Sequence, residues 1–183
     1  MQVKTIFAGF GGQGVLMMGY SYANAAMNEG YFVTYLPSYG AEVRGGSANC
    51  TVAVSDEEIA SPIASQPDYL VIMNQPSLFT FQNRVAPRGS IFMNSSIIQA
   101  RPSRDDVTIH EIPLAEIAAP LGNPRGQNIV MIGAFLRKTG ILSPEAYLKG
   151  LEERMKGKKA AAMESNRQAF MAGYNLTPGG AVC

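Results

Sequence analysis

The sequence predicts an α/β fold: an open sheet, mostly parallel with some antiparallel strand, carrying helices on both faces. Three observations predict it. A short apolar run, Val3 to Ala8, leads straight into the glycine-rich segment Gly9-Phe10-Gly11-Gly12-Gln13-Gly14. A Met- and Ala-rich stretch, Val15 to Glu29, follows and stops at Gly30, a residue suited to the position just past a helix. Tyr31 to Leu36 is then rich in aromatic and β-branched residues, as a second strand is. Strand, glycine turn, helix and strand in under forty residues make a βαβ unit, the repeating piece of a Rossmann-like sheet.

The elements that follow are read in order. Pro37 to Gly46 is too short and too rich in glycine to hold a crossover helix, yet Ala48 to Val54 is again a strand. That third strand is therefore expected to run antiparallel, or to lie elsewhere in the sheet. After a linker, Ser61 to Asp68, a strand is expected over Tyr69 to Met73 and a short helix from Pro76 through Arg84. Ile91 to Met93 and Val107 to Ile112 read as two more strands. The last third is helical. Gln127 to Lys138 is apolar on nearly every side and is expected to be a buried helix. Ser143-Pro144-Glu145 supplies an N-cap, a first-turn proline and an acid near the positive helix end. A final helix runs from about Ala161 to Gly173. The chain is read as one domain over residues 1–176 with a flexible tail over 177–183.

Composition narrows the function classes. Fifteen basic and 14 acidic residues give a net charge of +1, which offers no reason to expect nucleic acid or an anionic membrane as a partner. Charged residues make up only 16% of the chain, so extra buried surface is expected, in a core or at a subunit interface. Cys50 and Cys183 form no C-x-x-C pair, so iron–sulfur clusters and four-cysteine zinc sites are not expected on this chain, nor is a disulfide framework. That usage suits a reducing cytoplasm. The N-terminus enters a strand within a few residues, and neither a signal peptide nor a membrane span is expected. The single histidine, His110, is read as a strand residue rather than a catalytic base.

Two segments carry chemistry. Gly9, Gly11 and Gly14 match G-x-G-x-x-G with a strand before and a helix after. Glycines let the backbone turn tightly beside a phosphate, and free N–H groups at the helix start supply positive charge. The candidate ligand-binding residues are therefore Gly9, Gly11, Gly12, Gln13 and Gly14; the other reading is glycines that merely permit close packing. An NAD-binding unit needs an acid near the end of its second strand, and Val33-Thr34-Tyr35-Leu36-Pro37 has none. The second segment, Ser38 to Gly46, lies at the carboxyl end of that strand. Its Arg44 is a candidate clamp for a phosphate or a partner's carboxylate, with a structural Glu42–Arg44 pair as the alternative. No nucleophile with a nearby base, metal-spaced cluster or evident carboxylate pair appears.

These residues resemble a known family. Gly9 to Gly14, Tyr39-Gly40-Ala41-Glu42-Val43-Arg44-Gly45-Gly46, Ile59-Ala60-Ser61-Pro62 and Asn128 to Ala134, in this order and spacing, are similar to the gamma subunit of 2-oxoacid:ferredoxin oxidoreductases. The resemblance runs from Lys4 to about Gly173. It implies a non-catalytic subunit of an enzyme that oxidatively decarboxylates a 2-oxoacid, passes electrons to ferredoxin and forms an acyl-coenzyme A. Thiamine diphosphate and iron–sulfur clusters would sit on the alpha, beta and possible delta partner subunits. This chain would contribute to coenzyme A handling through its glycine loop and Arg44. Tyr39, Glu42, Arg44, Gly45 and Gly46 would lie at the partner interface, and the isolated chain could form a homodimer. The motifs look most like the 2-oxoglutarate type, with pyruvate and branched-chain types sharing them. A self-contained nucleotide-dependent dehydrogenase and a purely structural subunit are the competing readings.

Overall fold

The computed structural model describes residues 1–40, 46–157 and 160–176. Six strands form one sheet in the order β2-β3-β1-β4-β5-β6, where β1 is Gln2–Phe10, β2 Phe32–Tyr39, β3 Ser47–Ser55, β4 Tyr69–Ile72, β5 Ser90–Asn94 and β6 Thr108–Ile112. Three of the five pairings, β1–β4, β4–β5 and β5–β6, are parallel, and β3 is antiparallel to both β1 and β2. The third strand thus runs antiparallel, as its short connection requires. Its position modifies the simple βαβ unit: β3 sits between β1 and β2, which are parallel but not adjacent. Helix α1, Val15–Asn28, therefore crosses over a strand that comes later in the chain.

Strand alternation divides the core into two layers. Phe7, Val52, Val54, Val71 and Phe92 face α1 and the C-terminal helices. These are α3 (Leu114–Ala118), α4 (Gln127–Thr139), α5 (Pro144–Arg154) and α6 (Ala160–Tyr174). Ile6, Ala8, Leu70, Ile72, Ile91 and Met93 face the other way, under α2 (Gln75–Phe81) and the segment carrying Val85 and Ile98. Helix α4 buries eight consecutive residues, Ile129 to Leu136, as its all-round apolar sequence predicts. It can do so because α6 lies directly against it. A Cβ on Gly133 would overlap the Phe170 carbonyl, and one on Gly173 would overlap the Val130 carbonyl. Two glycines, one on each helix, let the backbones touch.

Element ends differ from the sequence reading where local signals are weak. The first strand runs through Gly9 to Phe10, so Gly9 is a strand residue. The second strand extends through Pro37 and Ser38 to Tyr39; β2 is an edge strand, where a missing N–H is tolerated. The helix expected through Arg84 ends at Phe81 and tightens into a 3-10 turn over Gln82–Arg84. Helix α3 goes unread in the sequence because five residues are too few to show a period. Helix α5 begins as predicted: Ser143 Oγ accepts the Ala146 N–H at 3.1 Å, with Pro144 at the first position. Residues 177–183, read as a tail, lie outside the described residues.

Cys50 faces α1 from β3 and is fully buried, with its thiol donating to the Val15 carbonyl at 3.6 Å. Burial pushes that thiol up to about 12 from an ordinary 9. A disulfide reagent at pH 8 is therefore expected to leave Cys50 unlabelled in a folded Cys183→Ser chain, and to label it fully on unfolding. The raised value also fixes a sign. Between about pH 9 and pH 12 the unfolded chain loses a proton that the folded chain keeps, so stability falls as pH rises through that window. A denaturant midpoint that held steady across it, or rapid labelling of the folded chain, would contradict the assignment.

Candidate functional site

The glycine loop lies at the carboxyl ends of β1 and β4, the two parallel strands at the centre of the sheet. From β1 the chain goes by α1 to β2 on one side, and from β4 by α2 to β5 on the other. That divergence opens a crevice in such sheets. Gly12 has φ +98° and Gly14 φ +76°, left-handed conformations that favour glycine. Gly14 is the N-cap of α1 and, lacking a side chain, leaves the helix start uncapped. The first helical bond is Met18 N–H to Gly14 O at 2.9 Å, so the amides of Val15, Leu16 and Met17 precede the intrahelical ladder.

Gln13 holds this loop in shape. Its Oε1 accepts the Phe10 N–H at 2.7 Å and the Asn74 Nδ2 at 3.2 Å, and its Nε2 donates to the Met73 carbonyl at 2.9 Å. The loop is thereby tied to the end of β4. Asn74 in turn caps α2 by accepting the Ser77 N–H at 2.9 Å. A Cβ on Gly9 would come within 2.9 Å of Gln13, Val15 and Met73, so its missing side chain makes room for these ties. Of the five candidate residues in this segment, Gly11, Gly12 and Gly14 form the open turn, while Gly9 and the Gln13 side chain brace it.

The second motif is joined to the first at Gly46, and its own start is tied across to β3. Gly11 N–H donates to the Gly46 carbonyl at 2.9 Å, and Gly40 N–H to the Ser47 carbonyl at 3.0 Å. Tyr39 closes β2 with 72% of its surface exposed. Glu42, Arg44 and Gly45 lie outside the described residues.

Facing the loop is the start of α4, which the sequence reading gave as a buried helix and, from Asn128, as part of the resemblance, together with Arg125, which it passed over. A cleft of about 370 Å³ is lined by Gly12, Gln13 and Met73 on one side and by Arg125, Gln127 and Asn128 on the other. No acidic side chain lines it among the described residues. Asn128 stands directly over Gly14, where any Cβ would collide with its amide. Helix α4 also starts here, with Gly126 as N-cap, no side-chain cap and no acid in its first turn. The glycine turn, the uncapped start of α4 and one guanidinium, on a cleft with no carboxylate among the described residues, make an environment suited to an anion. Arg125 escaped notice because an exposed arginine after a proline reads as ordinary loop; only the return of α4 to the glycine loop gives it a place. His110 is remote from such chemistry. It lies on β6, stacked on Phe92 at 4.4 Å between ring centres, and burial with nearby Lys138 lowers its pKa.

The family model for pyruvate ferredoxin/flavodoxin oxidoreductase matches residues 4–176. The chain belongs to this family. Among curated relatives, the ketoisovalerate oxidoreductase subunit VorA of Methanothermobacter thermautotrophicus is 41% identical over 160 residues, covering 86% of this chain and 33% of VorA. The chain thus spans about a third of the length of that relative. The 2-oxoglutarate synthase subunit KorC of Methanocaldococcus jannaschii is 32% identical over 180 residues, covering 96% of this chain and 94% of KorC. Among solved structures, the gamma subunit of the Geobacter sulfurreducens keto/oxoacid ferredoxin oxidoreductase superposes with TM-score 0.79 at 28% identity, covering 94% and 96% of the two chains. The fold recurs in a 2-oxoglutarate:ferredoxin oxidoreductase from Magnetococcus marinus, with TM-score 0.86 at 22% identity over 94% of this chain and 30% of that one. A similar sequence thus occurs as nearly the whole of KorC and as a third of VorA. Among the described residues no helix is long and apolar enough to cross a membrane.

Proposed function

We propose that this chain is the gamma-type subunit of a 2-oxoacid:ferredoxin oxidoreductase, and that its glycine loop takes the phosphates of coenzyme A. The observation that carries the ligand reading is the left-handed glycine turn leading into the uncapped start of α1, with Gly12 and Gln13 lining a cleft that holds no acidic side chain among the described residues. The second strand ends without an acid, which disfavours NAD but suits a ribose that carries a 3′-phosphate, since a carboxylate would repel it. The Magnetococcus enzyme holds 2-oxoglutarate, coenzyme A and succinyl-CoA, which fits this ligand class. End-to-end similarity to KorC favours 2-oxoglutarate as the 2-oxoacid.

The oxidative chemistry then belongs to partner subunits bearing thiamine diphosphate and iron–sulfur clusters, with ferredoxin as acceptor. Exposed apolar side chains support covered surface on both sides of the β2 edge: Tyr20 and Met27 on α1, with Tyr39, on one side of the sheet, and Phe32 and Leu36 on the other. In this reading Tyr39, Glu42, Arg44, Gly45 and Gly46 form part of the contact with the partner subunits. Calorimetric titration of the isolated chain with coenzyme A and with NAD tests it. Heat from coenzyme A alone, together with no 2-oxoacid turnover, is the expected result. Binding of NAD alone would indicate a dehydrogenase, and binding of neither a structural subunit.

A further inference from the structure

We propose that Arg125 is the cation that faces the glycine loop across the cleft and holds the phosphate group cradled at Gly12. This rests on the coenzyme A reading above and names a residue that the family motifs do not supply. Arg125 occupies the third position of a tight turn, Asn123-Pro124-Arg125-Gly126, closed by Gly126 N–H to the Asn123 carbonyl at 2.9 Å. Proline at the second position presets that turn. The turn is anchored on both sides. Asn123 Nδ2 donates to Asn166 Oδ1 at 3.3 Å and is 3.5 Å from the Ser165 carbonyl on α6, and Gln127 Nε2 donates to the Pro124 carbonyl at 3.3 Å. The backbone that carries the arginine is thus fixed, while the residue itself remains exposed.

The ion pairs among the described residues are Met1–Asp56 and Arg104–Asp106, and Arg125 takes part in neither. With no carboxylate lining the cleft, the guanidinium meets no competing acid there among the described residues. Its planar fork matches two phosphate oxygens, and the Gly12 N–H opposite meets another, those of Gly11 and Gln13 being taken up by the Gly46 and Phe10 carbonyls. Asn128, over Gly14, adds an amide on the same wall. A phosphate, with more acceptor oxygens than a carboxylate, uses donors from both walls at once.

The test compares coenzyme A with pantetheine, which lacks every phosphate, as acyl acceptors or competitors of the assembled enzyme. Arg125→Gln is expected to raise KM for coenzyme A about tenfold while leaving the pantetheine constant in place, so that the preference between them collapses. The dependence of KM on salt should flatten, because a screened charge has been removed. Arg125→Lys should keep part of the preference, as a point charge without the fork. A merely structural role would move both acceptors together and leave the salt slope intact, and that result would overturn the proposal. If Gly12→Asp weakens coenzyme A but Arg125→Gln does not, the loop reading stands and Arg125 falls. If neither variant changes the preference, both readings fall.

Discussion

Gly173→Ala is expected to lower the thermal midpoint by roughly 6–12 °C, whereas Gly150→Ala is expected to raise it. Both glycines lie inside helices, and helix propensity alone favours alanine at each by about 1 kcal/mol. Surroundings set the sign. A Cβ at residue 150 meets nothing nearer than Asn24 Nδ2 at 4.0 Å, so the substitution costs no space and keeps the propensity gain. At residue 173 the added atom would overlap the Val130 carbonyl and approach the Ala134 nitrogen at 3.1 Å. These are backbone atoms of α4 and cannot rotate away. Helices α4 and α6 must separate, loosening Val130, Ala169 and Phe170 from one core. Overpacking of this kind costs about 3 kcal/mol at the upper end of the usual range, and for a chain of this size each kcal/mol shifts the midpoint by about 2–4 °C. Calorimetric scans of the two variants beside the parent check it. Midpoint shifts of the same sign would show that the helix crossing is not held by backbone contact.

Gly12→Asp is expected to raise KM for coenzyme A more than tenfold, a loss above about 1.4 kcal/mol, in a complex that still assembles. Space is not the cause, because a Cβ at residue 12 meets nothing within 4 Å. Two other effects act. Holding a side chain at φ +98° is strained by about 1–2 kcal/mol, and this falls on the loop rather than on the ligand. The carboxylate then faces the phosphates, and two unit charges 4 Å apart repel by about 1 kcal/mol in water and about 4 kcal/mol near a protein surface. Gly12→Ala isolates the first effect and should weaken coenzyme A less than the aspartate does. Decarboxylation measured in a half-reaction without coenzyme A should persist in both. Equal KM values for the parent and the Gly12→Asp enzyme would leave the loop a packing device.

How much of this was legible in the sequence depends on the range of each signal. The passage from β1 through the glycines into α1 is local, and residues 3–36 gave it closely. The antiparallel sense of β3 followed from a connection too short for a crossover. Its insertion between β1 and β2 did not, because which strand neighbours which is decided by apolar faces meeting across forty residues or more. The glycines at 9 and 14 looked alike in the motif. One accommodates Gln13, Val15 and Met73, and the other sits beneath Asn128 from a helix more than a hundred residues later. Arg125 is the clearest case of a residue whose meaning is purely tertiary. Nothing in its neighbourhood along the chain distinguishes it from other exposed arginines.

The place of β1 has a consequence for biosynthesis. Gln2–Phe10 is made before the other five strands of the sheet and ends as one of its two central strands. One neighbour arrives with Ser47–Ser55 and the other only with Tyr69–Ile72, roughly 60 residues after β1 ends. At about 5–20 residues per second, several seconds pass in which a strand containing Ile6, Phe7 and Ala8 has an unpaired edge. The β2 and β3 strands are synthesised before β4, so the antiparallel neighbour of β1 is available to it before the parallel one. A translational pause before β4 has emerged lengthens the exposure of the β4-facing edge.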